Sequence, residues 1–136
     1  SDHKLTVIKD DVKDHTKLYD GDVLILPRRY GGLSLQLNEA MSLGMVPIML
    51  DVEPQSAFLH KKLLLQAYPN ARTMIKTEVD VYTCTPESLA AKIDELAELK
   101  SIARYSTLSN KYAQERDWAV MKPKYMKVFR DLCRSQ

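Results

Sequence analysis

The chain has 136 residues, 45% of them hydrophobic and 28% charged, a balance that supports one packed core and excludes a disordered tail. Its 20 Lys and Arg against 18 Asp and Glu leave a net charge of +2, too little for a general nucleic-acid binder. Cys84 and Cys133 stand far apart and in no C-x-x-C pair, which argues against a disulfide framework or zinc site and points to a reducing, cytoplasmic setting; no apolar run reaches the ~18 residues of a membrane span and no signal-peptide pattern opens the sequence.

Leu5-Thr6-Val7-Ile8 is a short β-like run, and the polar stretch after it ends in the turn signal Asp20-Gly21-Asp22. Val23 to Leu26 is a continuous apolar run stopped by Pro27, the pattern of a strand covered on both faces in a parallel sheet. Arg28 to Gly32 is a polar, glycine-containing loop. Leu33 to Leu43 reads as a helix, with Leu33, Leu37, Ala40 and Gly44 on one stripe and Gly44 as its C-terminal stop. Val46 to Leu50 is a second apolar strand, whose Pro47 sits near its start, where a missing N–H is tolerated.

Pro54 to Tyr68 is expected to be helical, with Pro54 in a first turn. Thr73 to Cys84 is β-branched and suits one or two strands. Thr85-Pro86-Glu87 is a helix start, with Thr as N-cap and Pro at the first position, and that helix is expected to run to about Leu99. Two further helices are expected over 101–115 and 117–133, the last broken or kinked at Pro123. Trp118, Tyr125 and Phe129 fall near helical spacing and read as core anchors. Strands alternating with helices imply βαβ units. The expected fold is α/β, a single domain over 1–136 with a Rossmann-like parallel sheet flanked by helices and a helical C-terminal tail.

In open α/β sheets, ligands bind beyond the C-terminal ends of the strands. The loop Arg28-Arg29-Tyr30-Gly31-Gly32 lies at such an end. Its glycines let a ligand approach the backbone, and the helix starting near Leu33 aims free N–H groups and its positive dipole end at the loop. That is an anion site suited to a phosphate, to which Arg28 and Arg29 add charge-assisted contacts. On composition alone the same features also describe a plain tight turn and solvated arginines.

Over Val23 to Asp51 the chain resembles the donor-site signature of retaining, B-type glycosyltransferases related to sucrose and glycogen synthases. The residues are Pro27, then Gly32-Leu33-Ser34-Leu35, Asn38-Glu39-Ala40-Met41 and Gly44-Met45-Val46-Pro47. Leu18 to Val23 is similar to that family's approach to the strand, Thr85 to Ala90 to its later helix start, and Asp117-Trp118 with Tyr125 to its closing helix. The resemblance implies transfer of a sugar from a nucleotide-sugar such as a UDP- or GDP-sugar, with no cofactor and no metal. It implies that Gly31, Gly32, Leu33 and Ser34 lie against phosphate and sugar, with backbone donors at Gly32, Leu33 and Ser34, beside Arg28 and Arg29. It implies too that Glu39 accepts the ribose hydroxyls. The family's first glutamate falls at Gly31 and is absent here, and its Pro-Ser is Pro27-Arg28. The resemblance further implies that this is the C-terminal, nucleotide-sugar-binding part of a two-domain enzyme, its N-terminal acceptor domain absent. The opening Ser1-Asp2-His3-Lys4 reads as a cut boundary.

Other constellations carry less. Asp20-Gly21-Asp22 spells a D-x-D metal motif but precedes a strand, where a turn is the plainer reading. His3, His15 and His60 show no ligand spacing. No G-x-S-x-G, Walker A or G-x-G-x-x-G occurs. Two alternatives belong to other classes. One is a non-catalytic nucleotide-binding or protein-interaction module derived from such a domain, favoured by Gly31. The other is peripheral membrane contact through the basic C-terminal helices, where residues 100–136 hold nine Lys or Arg against three Asp or Glu.

Overall fold

The computed structural model describes Asp14, Tyr19 and residues 21–29, 32, 34–74, 76–97 and 99–134. The β-like run over Leu5–Ile8, His3 and His15 lie outside the described residues. The chain is α/β. A parallel sheet is built from β1 (Val23–Ile25), β2 (Val46–Leu50) and β3 (Leu64–Leu65) in the order β1-β2-β3, and α1 (Leu35–Ser42) joins the first two.

All five residues of β2 are buried. Side chains alternate across a strand, so Val46, Ile48 and Leu50 join Leu63, Leu65, Leu96 and Tyr105 in one cluster. Met49 points the other way, to Leu37, Met41, Leu59 and Leu64. Each such side chain contributes about 1.5–3 kcal/mol on burial, which makes β2 the centre of the core. The strand covered on both faces is β2, and not β1, for which the apolar run predicts it. Among the described residues β1 stands at the sheet's edge, is only half-buried, and leaves Ile25 42% exposed.

Pro47 lies within the central strand, and the register explains why it is tolerated. The Val46 N–H donates to the Asp22 carbonyl and the Leu26 N–H to the Ile48 carbonyl, so even-numbered β2 residues face β1. Odd-numbered residues face β3, whose first partner is Met49 opposite Leu64. Position 47 precedes that pairing, so no ladder bond is lost.

Both ends of α1 are fixed. Ser34 is extended (φ −98°, ψ 121°) and its Oγ accepts the Leu37 N–H at 3.4 Å, the N-cap geometry. At the other end Gly44 takes φ +80°, with its N–H on the Met41 carbonyl and the Met45 N–H on the Ala40 carbonyl, a Schellman ending. Asn110 Nδ2 donates to the Ser42 carbonyl at 3.2 Å, satisfying another terminal acceptor from a distant helix.

The helix expected over Pro54–Tyr68 is absent. Two short 3-10 turns at Gln55–Ala57 and Lys61–Leu63 stand there, followed by β3. The reason lies in Leu63-Leu64-Leu65. Leu63 and Leu65 enter one cluster and Leu64 the other, a period of two that only a strand provides. The His60 ring nitrogen Nδ1 accepts the Lys62 N–H at 3.2 Å and caps the turn before it.

The sheet order then changes. β4 (Tyr68–Met74) and β5 (Glu78–Thr83) form a separate antiparallel hairpin, beginning five residues before the β-branched stretch suggested. Arg72 bridges it, bonding Asp80 at 3.0 Å and Glu78 at 3.4 Å. The remainder is helical: α2 (Pro86–Leu96), α3 (Leu99–Glu115) and α4 (Trp118–Arg134). Thr85 Oγ1 accepts the Ser88 N–H at 3.1 Å with Pro86 at the first helical position, the start that the sequence implies. α3 packs on α1 and β2. The Asp117 carboxylate caps α4 through the Ala119 N–H at 2.7 Å, and the helix runs through Pro123. Trp118, Tyr125 and Phe129 are not core anchors: they are 64%, 49% and 59% exposed, and α4 buries none of its residues. No helix among the described residues is long and apolar enough to cross a membrane.

Candidate functional site

Proline ends β1 by a local mechanism. Its fixed φ suits the centre of an inverse γ-turn, and the Arg28 N–H closes that turn on the Leu26 carbonyl at 2.7 Å. β2 ends in a similar three-residue turn, Val52 N–H to the Leu50 carbonyl at 2.9 Å. Past the first turn the chain leaves the sheet at its C-terminal edge. Leu26, Pro27, Arg28 and Arg29 line an open depression there, with Arg28 half-buried and Arg29 exposed. The Tyr82 N–H donates to the Arg29 carbonyl at 3.0 Å, so the hairpin anchors this loop from its far side.

Gly31 and Leu33, expected to lie against phosphate and sugar, fall outside the described residues, as does Tyr30. Gly32 is exposed, and a Cβ added there would meet nothing within 4 Å, so the space over its backbone is open. Ser34 is 5% exposed, and its hydroxyl is turned onto its own helix. The first turn of α1 holds no acidic residue. Its positive end is therefore not neutralised from within, and helix geometry leaves the Leu35 and Gln36 amides aimed at the loop.

Glu39 lies five residues beyond Ser34, about 7.5 Å along the helix axis at 1.5 Å per residue. It is exposed, on the side of α1 away from the buried Leu37, Ala40 and Met41. Its carboxylate accepts the Tyr19 hydroxyl. That hydrogen bond pushes the Tyr19 phenol up to about 12, with burial and the carboxylate charge acting in the same direction. The arginines and the N-cap thus gather at one end of the β1–α1 unit, and Glu39 stands further along the helix with a hydroxyl on it. Tyr19 and the Tyr82 amide are the partners that sequence reasoning did not assign. Each contact joins residues distant in sequence, so no periodicity or spacing marks it.

Among the described residues no group of three or more His, Cys, Asp or Glu stands together as a metal site. Asp22 is exposed ahead of β1, and Asp20 lies outside the described residues. Cys84 is half-buried, Cys133 is exposed, and both are free. No protein-family model matches the chain, and neither a curated protein nor a solved structure does.

Proposed function

We propose that this chain is the nucleotide-sugar-binding part of a retaining B-type glycosyltransferase, a Rossmann-like donor unit working in the cytoplasm with an N-terminal acceptor domain. The observation that carries the reading is the pairing of Glu39 with the Tyr19 hydroxyl. A surface carboxylate on the outer face of α1 already receives an O–H donor, which is the chemistry that a ribose requires. The β1–α1 loop supports the other half of the ligand: two arginines and an unneutralised helix start suit a diphosphate.

In this reading the donor's ribose takes the place of Tyr19 on Glu39, and the diphosphate lies over Gly32 toward the Leu35 and Gln36 amides. Arg28, Arg29 and those amides stabilise the charge that develops on the leaving diphosphate. Retention follows from the resemblance, and no metal enters the step.

The test is calorimetry with UDP, GDP, ADP and their sugars on the wild type and on Glu39→Ala. The expected result is saturable binding to one base, weakened in the variant by about 1.5–3 kcal/mol, the scale of a hydrogen bond to a charged group. Arg28→Ala is expected to weaken the nucleotide diphosphate but not the nucleoside. Absence of saturable binding to every nucleotide overturns the proposal. Binding that Glu39→Ala leaves unchanged removes Glu39 from the site.

A further inference from the structure

α4 carries a surface that the proposed donor site does not use. At 3.6 residues per turn, Trp118, Met121, Tyr125, Val128, Phe129 and Leu132 fall within roughly 100° of the helix circumference, and Cys133 and Met126 widen that apolar arc to roughly 160°. Phe129 and Leu132 are 59% and 61% exposed, and Met121 is the one α4 residue that is half-buried. The opposite arc carries Lys124, Lys127, Arg130 and Arg134, all exposed. Within Trp118–Arg134 five cations face one acid, Asp131. The N-terminal turns of α4 rest near α1 and α3, where Trp118, Met121 and Tyr125 share a cavity with Met41, Tyr112 and Arg116. The later turns carry the apolar arc outward.

We infer that α4 lies in the interfacial plane of an anionic lipid surface, with its aromatic and aliphatic arc among the acyl chains and its cations on the headgroup phosphates. Three features favour lipid over a protein groove or a second copy. The apolar arc is broad and rich in aromatics, with the single tryptophan at its start, as an interfacial helix requires. Lys124 and Arg130 border its two edges, so a second α4 laid against it would bring like charges together. Lys122 falls inside the apolar arc and is exposed. A dry groove would bury that ammonium, whereas at a membrane its long stem lies along the apolar surface and lifts the charge to a phosphate. The inference is independent of nucleotide binding.

Trp118 is the sole tryptophan, so its fluorescence reads α4 directly. The full chain is mixed with vesicles of phosphatidylcholine alone and with vesicles also holding phosphatidylglycerol, and binding is followed by cosedimentation and emission. The expected result is a blue shift and sedimentation with the anionic vesicles only, diminished by added salt. Lys124→Glu with Lys127→Glu is expected to lower partitioning at least about tenfold. Phe129→Ser with Leu132→Ser is expected to abolish the blue shift; circular dichroism checks that both variants keep the fold, and their exposed positions predict that they do. Equal binding to neutral vesicles overturns the inference. So does absence of sedimentation with anionic ones, which would leave a protein surface as the occupant. A dimer in solution whose Trp118 emission is already blue-shifted without lipid also overturns it, and assigns the face to a second copy.

Discussion

The Tyr19 hydroxyl donates to the Glu39 carboxylate across twenty residues of sequence, tying the segment before β1 to the outer face of α1. The phenolate form would lose that bond and meet the carboxylate charge, so Tyr19 is expected to titrate near 12. In Glu39→Gln it is expected to return toward 10, the ordinary value. Because the folded value is raised, the stability that this pair contributes is fully present below about pH 10 and is lost as pH rises toward 12. Carbon-13 NMR of the labelled tyrosine rings, followed against pH, resolves the site. If a nucleotide's ribose displaces Tyr19, the same resonance is expected to titrate lower in the complex.

The left-handed Gly44 gives a second expectation. Gly44→Ala forces a side chain into φ +80° and brings its Cβ to 3.1 Å from Ser106 Oγ on α3. A loss of about 1–2 kcal/mol is expected from the backbone alone, read by urea denaturation. Gly32→Ala is the control. A Cβ there meets nothing, so stability is expected to hold or to rise by less than ~1 kcal/mol.

Capping at α2 is separable from the candidate site. Thr85→Ala removes the acceptor of the Ser88 N–H and is expected to cost about 1 kcal/mol in the same denaturation. Nucleotide affinity is expected to stay unchanged.

The core and α4 are expected to differ in how much the same truncation costs. Leu50 is fully buried in β2, so Leu50→Ala is expected to cost about 2–5 kcal/mol. Leu132→Ala, at a position 61% exposed, is expected to change the stability of the free chain by less than about 0.5 kcal/mol. Thermal unfolding of the two variants compares them.

Local chemistry was the legible part of this fold. Gly44 after an amphipathic run, Thr85-Pro86 before one, and an unbroken apolar stretch at Val46–Leu50 act through neighbouring residues, and the structure uses all three as expected. What escaped is set by partners far along the chain. Leu63-Leu64-Leu65 looked continuous with a helix beginning at Pro54, yet the two faces of β2 divide those leucines between them. In α4 the helical spacing of Trp118, Tyr125 and Phe129 identified a common face, but spacing carries no information about what covers it. The site divides in the same way. Arg28 and Arg29 stand in the turn after β1 where a strand-turn-helix reading puts them, and Ser34, expected inside a helix that starts at Leu33, is instead the cap of one that starts at Leu35, whereas the Tyr19 partner of Glu39 depends on a non-local contact.

The bond from the Tyr82 N–H to the Arg29 carbonyl makes the hairpin a gauge of the loop beside it. Any occupant that draws Arg29 outward must stretch or break that bond, and one that holds Arg29 in place must protect it. Hydrogen exchange at a single amide, well away from the helix that would contact the ligand, would then register whether the loop is loaded, and in which sense.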